Sequence, residues 1–259
     1  LRRHEEIAPL AANLAGPCVN RPRIATAGWS IPRAVAGAFP PEGSGLERYA
    51  ARFDAVEINS TFYRAHRPAT YARWVAATPP GFRFSVKLPK RITHEARLID
   101  SRDQVAAFRA EAGQLGDKLG PLLVQLPPSL AFSPLAHEAF FAGLREVWPD
   151  PVVLEPRHAS WFDAEAEALL RAYHIGRVAA DPAPHPGAAR PGGWAGVAYW
   201  RLHGSPRMYY SAYDEAALAA LANHLRTDER RETWCVFDNT ASGAAAANAL
   251  ALQELVGSG

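Results

Sequence analysis

The sequence predicts an α/β fold, a single (β/α)8 TIM-type barrel whose eight strands are parallel and follow chain order, with an irregular sixth βα unit. Three observations carry this expectation. The chain has 259 residues, close to the roughly 250 of such barrels. Eight short runs rich in apolar and β-branched residues recur along it, and amphipathic helical patterns separate most of them. No repeat, low-complexity tract or linker marks a second domain, so residues 23–259 are expected to form the barrel and residues 1–22 an N-terminal extension.

The runs are, in order, Ile24–Trp29, Ala55–Thr61, Arg83–Pro89, Pro121–Pro127, Val152–His158, Gly176–Asp181, Val197–Gly204 and Thr233–Asn239. Helix signals fall between them. Ser44 precedes Leu46, Tyr49, Ala50 and Phe53 at helical spacing, and Ser101 with Gln104 reads as a capping box before Val105 and Phe108. Ser133–Pro134 opens a further helix, and Asp163 opens one that Gly176 is expected to close. Asp214 caps a helix through Leu218, Leu221 and Leu225, and Gly243–Val256 supplies the last. Between Asp181 and Val197 the segment PAPHPGAARPGGWAG is too rich in Pro and Gly for a helix and reads as a rim loop or lid. Pro127–Pro128 is a candidate cis bond. A doubly wound open sheet is the structural alternative to the barrel.

Hydrophobic residues make up 48% and charged residues 21%, a globular composition. The formal net charge of +2 gives no global basic field, so any anion site must be local. Cys18 and Cys235 form neither a disulfide framework nor a zinc ribbon, which fits a reducing, cytoplasmic setting. No run approaches the roughly 18 apolar residues of a membrane span. No P-loop or GxGxxG is present, so nucleotide cofactors have no motif support.

In barrels of this type the chemistry lies at the C-terminal strand ends. Strand alternation then turns Glu57, Asn59 and Thr61 inward together, as it does Ser85 with Lys87, Glu155 with Arg157, and Arg201 with His203. Gln125, Asp181 and Asp238 end their own strands. Glu57, Lys87, Glu155, His203 and Asp238 are the catalytic candidates. Asn59, Tyr63, His94, Gln125, Arg157, His158, Arg201 and Tyr213 are candidates for substrate contact. The plain alternative is a set of buried ion pairs, Glu57 with Lys87 and Glu155 with Arg157 or Arg201. The loop after the third strand adds Lys90, Arg91, His94 and Arg97, which makes the mouth cationic and favours an anionic substrate.

At these segments the chain resembles the YecE-like family, also known as domain of unknown function 72. The resemblance rests on AGWS, VEINSTFYR, FRFSVKLPKRITH, LGDKLGPLLVQLPPS, EPRHASWF, WRLHG and VFDNT, which span residues 27–240. It implies a TIM-barrel-like fold. It also implies a pocket formed by Glu57, Asn59, Lys87, His94, Gln125, Glu155, Arg157, His158, Asp181, Arg201, His203, Asp238 and Asn239. It implies no reaction. Ala27 stands where the resemblance leads one to expect Ser.

Three functions follow as expectations. The first is a divalent-metal enzyme acting on a phosphorylated sugar or a phosphodiester, as hydrolase, nuclease or isomerase. Here Glu155, Asp181, His203 and Asp238 would hold Mg2+ or Mn2+ in an arrangement similar to the xylose-isomerase-like barrels. The second is metal-free acid–base catalysis on a small anion held by Lys87, Arg157 and Arg201; a Schiff base at Lys87 requires its pKa to be lowered. The third is non-catalytic binding of a phosphorylated metabolite or of nucleic acid. The position of the arginines discriminates, because a guanidinium in the middle of the carboxylates would repel a metal.

Overall fold

A computed structural model describes residues 21–228 and 232–257. Of the expected N-terminal extension, residues 1–20 with Cys18 therefore lie outside the described residues. The strands are β1 Arg23–Thr26, β2 Ala55–Ile58, β3 Arg83–Lys87, β4 Leu119–Gln125, β5 Val152–Glu155, β6 Ile175–Arg177, β7 Ala179–Asp181, β8 Gly192–Gly193, β9 Val197–Leu202 and β10 Glu232–Phe237. The helices are α1 Gly45–Ala50, α2 Pro68–Ala76, α3 Arg102–Ala112, α4 Pro134–Val147, α5 Ala164–Ala172, α6 Glu215–Arg226 and α7 Ala244–Gly257. No helix among the described residues is long and apolar enough to cross a membrane.

The strands form two sheets, in the orders β1-β10-β9-β7 and β2-β3-β4-β5-β6-β8. All pairings are parallel except β6 with β8. The sheets approach at two seams. At one, Ala27 bridges to Glu57 and the Gly28 N–H donates to the Glu57 carbonyl at 2.8 Å. At the other, the sixth run breaks at Val178, so that β6 bonds β5 while β7 bonds β9. The irregular 182–196 segment contributes a 3-10 turn and β8, which folds back antiparallel on β6.

Alternation along the strands builds two cores. Ala25, Ala55, Leu123, Val153, Val178, Val197, Tyr199, Trp234 and Val236 meet between the sheets, whereas Val56, Val86, Leu122, Leu154, Trp200, Leu202 and Phe237 face the helices. Gly120 in β4 makes room for the Trp234 indole, since a Cβ there would lie 2.8 Å from Trp234 Cζ2. The apolar layer supports the polar layer above it.

Several local expectations hold. Ser44 and Glu47 form a reciprocal capping box on α1, Pro134 starts α4, and Asp163 and Asp214 cap α5 and α6 through Ala166 and Ala217 N–H groups at 2.8 Å each. Others need correction. The Ser101 hydroxyl does not cap α3 because it donates to the Leu98 carbonyl at 3.1 Å. Gly176 does not end α5; it lies in β6, where a Cβ would meet Val197 Cγ1 and the Val197 carbonyl at 2.9 Å. His174, at φ 52°, turns the chain out of that helix instead. The runs also overshoot, since Asn59–Phe62 forms a 3-10 turn rather than the end of a strand. The cis peptide bonds among the described residues are Asp181–Pro182 and Ser205–Pro206, not Pro127–Pro128.

Candidate functional site

The inward side chains of β2, β3, β5, β9 and the end of β10 meet at the C-terminal strand ends. Arg201 stands at their centre, with no exposure. Its Nε and Nη2 donate to the two oxygens of Glu57 at 3.0 and 2.7 Å, Nη1 donates to Glu155 at 2.9 Å, and Nη2 also reaches Asp238 at 3.0 Å. His203 lies beside it, with Nδ1 3.0 Å from Asp238 Oδ2 and Nε2 3.0 Å from Glu155 Oε1. Arg157 closes the edge, its Nε and Nη2 both donating to Glu155 Oε1, at 3.1 and 2.7 Å. Below, the Tyr199 hydroxyl lies 3.0 Å from Glu57 Oε2 and 2.9 Å from Ser85 Oγ.

These contacts fix the electrostatics. Burial alone would raise the Glu155 carboxyl, but Arg201, His203 and Arg157 hold it well below the usual carboxylate range. Burial opposes the charge on Asp238 as well, and Arg201 with His203 brings its pKa below the ordinary value. For His203, burial is outweighed by Glu155 and Asp238, so its pKa rises above the ordinary imidazole value. Three carboxylates, Glu57, Glu155 and Asp238, are thereby engaged by three basic side chains, Arg201, Arg157 and His203. Every carboxylate of the network has a basic partner within it.

Lys87 is the cation left over. The alternative pairing with Glu57 does not form, because Arg201 and Tyr199 take that carboxylate. Lys87 is 5% exposed, and its Nζ sits 4.2 Å from the centroid of the Phe62 ring. No carboxylate among the described residues forms an ion pair with it. Burial, reinforced by Arg201 and only partly offset by Glu57, Glu155 and Asp238, pushes its pKa down to about 8. His94 packs edge-on to Phe62 at 5.1 Å, and burial together with Lys87, Lys90 and Arg157 lowers its pKa.

The remaining candidates divide. Gln125 pairs in register with Glu155 and is half-buried at the same rim. His158 is half-buried but engaged with Ser160, at 2.9 Å from Nδ1 to Oγ. Tyr63 is 74% exposed on the outer lip. Asn59 lines a neighbouring cleft with Trp29, Arg64 and Trp74 rather than the central cluster. Tyr213 and Asn239 are tied into the wall: the Tyr213 hydroxyl donates to Asp181, 2.9 Å from Oδ1, and Asn239 Nδ2 donates to the Ser211 carbonyl and Asn248 Oδ1 at 2.9 Å each. Lys90 is paired with Glu95 at 3.4 Å and Arg97 with Ser129, so the basic loop spends part of its charge locally. Tyr199 was not singled out from the sequence, although it shares the parity of Arg201 and His203.

The four expected metal ligands do not assemble into a cage. Asp181 is turned to Tyr213, Arg201 stands between Glu155 and Asp238, and both His203 nitrogens face carboxylates. Among the described residues no group of three or more His, Cys, Asp or Glu is arranged to hold a metal ion. The physical reason is charge: arginines already compensate the carboxylates on which a divalent ion would depend.

Residues 23–259 match the family described as "Protein of unknown function DUF72". The chain is similar to the UPF0759 protein YecE of Escherichia coli K12, with 34% identity over 155 residues, 57% of this chain and 56% of that protein. Its identity to the UPF0759 protein YunF of Bacillus subtilis 168 is 28% over 134 residues, 48% of this chain and 47% of that protein. The matched part thus spans about half the length of these curated relatives. Among solved structures, a DUF72 family protein from Thermotoga maritima MSB8 superposes with a TM-score of 0.74 at 27% identity, covering 91% of this chain and 98% of the other. A DUF72 family protein from Enterococcus faecalis V583 shares the fold, with a TM-score of 0.77 at 22% identity and coverage of 91% and 95%. With the family match running over nearly the whole chain, this protein belongs to the DUF72 family.

Proposed function

We propose that the two sheets are arcs of one (β/α)8-type barrel and that their shared C-terminal rim is the active site of a metal-independent enzyme acting on a small anionic substrate. The two seams, at Ala27 with Glu57 and at Val178, support the barrel reading. The carrying observation for function is that Arg201 engages Glu57, Glu155 and Asp238, which leaves Lys87 without a carboxylate partner at the mouth. A lysine kept for stability alone would be paired or solvated.

Each group then has a role. Arg157 uses Nε and Nη2 on Glu155, so its Nη1 donors remain for a phosphate or carboxylate. Lys87, with a pKa of about 8, is the reactive base. His94, whose pKa burial and the neighbouring cations lower, is a second proton carrier. Arg201, Glu57, Glu155, Asp238 and His203 position the mouth rather than move protons. Phosphorylated and carboxylated metabolites both suit this reading, and no step runs through Mg2+ or Mn2+.

Calorimetry with inorganic phosphate, ribose 5-phosphate and pyruvate tests the reading against the parent protein and Arg157→Ala. At least one of these anions should bind the parent, and the variant should bind it about ten-fold more weakly, in line with the loss of a charge-assisted hydrogen bond. Equal affinity in the two proteins would remove Arg157 as the anion anchor.

A further inference from the structure

We propose that Lys87 is a covalent catalyst, whose Nζ forms an imine with the carbonyl carbon of a phosphorylated or carboxylated aldehyde or ketone held at the mouth. This rests on the anion reading above and specifies the substrate class. Three features of the site lead to it. The amine is almost fully buried, and it contacts the Phe62 ring face rather than a hydrogen-bond acceptor. The cation of Arg201 lies in its field, and the carboxylates that would hold it protonated are turned onto arginine and histidine. The last feature is a contrast with the other lysines. Lys118 Nζ donates to the carbonyls of Val75 and Thr78 and to Thr78 Oγ1, and Lys90 lies on the surface beside Glu95.

The chemistry favours attack at carbon over simple proton uptake. With a pKa of about 8, roughly a tenth of the Lys87 side chain is free amine at pH 7, against well under a thousandth for an ordinary lysine. An amine desolvated among cations is the environment that activates lysine as a nucleophile. The nitrogen lone pair adds to the carbonyl carbon and gives a carbinolamine. In reaching it one amine proton passes to the oxygen; the second follows as the C–O bond breaks, so the oxygen leaves as water and the nitrogen lone pair forms the C=N bond. No oxidant or further reactant is required. Arg157 Nη1 would hold the anionic group while the carbonyl faces Nζ.

Reductive trapping tests the inference on the whole protein. The chain is incubated at pH 7.5 with glyceraldehyde 3-phosphate, and in parallel with uncharged glyceraldehyde, then reduced with sodium borohydride and mapped by peptide mass spectrometry. The three lysines, Lys87, Lys90 and Lys118, make assignment unambiguous. Lys87 is expected to carry about ten-fold more secondary-amine adduct than Lys90, with the phosphorylated probe preferred, and Lys87→Arg should lose that adduct while Lys90 labelling persists. Greatest labelling at Lys90, or equal labelling at all three, would overturn the imine. Phosphate binding by calorimetry without any Lys87 adduct would overturn the imine and leave the anion reading standing. Equal labelling of Lys87 by both probes would uphold the imine and overturn the anion anchor.

Discussion

Replacing Lys87 with Met should make the protein more stable, the opposite of what most core substitutions do. Its pKa falls from 10.5 to about 8, and at 1.36 kcal/mol per unit the folded state bears about 3 kcal/mol for keeping the charge there at pH 7. The Phe62 contact at 4.2 Å returns about 1 kcal/mol as a cation–π interaction, so the net gain from Met is about 2 kcal/mol. For a chain of this size that corresponds to a rise in Tm of roughly 4–8 °C. The pH dependence has a definite sign. A lysine depressed in the folded state carries its full penalty below the folded value and sheds it as pH climbs toward the unfolded value. The Met advantage should therefore be constant below pH 8 and shrink between pH 8 and about 10.5. Urea unfolding of both proteins at pH 7 and pH 10 measures this difference directly. A variant that is less stable than the parent at pH 7, with a deficit that does not depend on pH, would refute the argument and mean that Lys87 is compensated after all.

Arg201→Met should lower stability by about 3–5 kcal/mol because it leaves Glu57, Glu155 and Asp238 buried around an uncharged side chain; thermal unfolding reads the loss. In the parent, the depressed Glu155 and Asp238 contribute stability above their unfolded values near pH 4 that is lost as pH falls through the folded values; a parent protein equally stable at pH 2.5 and pH 6 would contradict this. Histidine titration by NMR should separate three rings: His203 above 6.5, His94 below it, and His137 near about 4 through burial. The contribution of His203 is full below pH 6.5 and fades as pH rises through its folded value. Gly176→Ala should cost about 1–3 kcal/mol in denaturant unfolding, since the new methyl would sit 2.9 Å from Val197 Cγ1.

The alternation of the strands was legible in the sequence because a buried polar side chain must be satisfied, and the spacing of Glu57, Glu155, Arg201 and His203 put them on one face. The layer they form was therefore accessible to pattern reasoning, as was Tyr199 by the same rule. Their partners were not. Whether Glu57 meets Lys87 or Arg201 depends on how two separate sheets face each other, and no local spacing carries that information. Asp181 illustrates the same limit: it ends its run as expected, yet Tyr213, thirty-two residues onward, decides which way its carboxylate points. Gly176 misled because glycine after a helix is a common stop signal, while here β5 and β9 crowd it. Ser101 offered a capping pattern that Leu98 outcompeted for the hydroxyl.

Arg201 has a mechanical meaning beyond its charge. It issues from β9 in one sheet and grips Glu57 and Glu155 of the other, while Asp238 follows β10. A guanidinium that clasps both halves makes their separation an all-or-none event, since parting them strands several charges in apolar surroundings at once. Amide hydrogens of β2, β5, β9 and β10 should then exchange together, through one shared opening, rather than sheet by sheet.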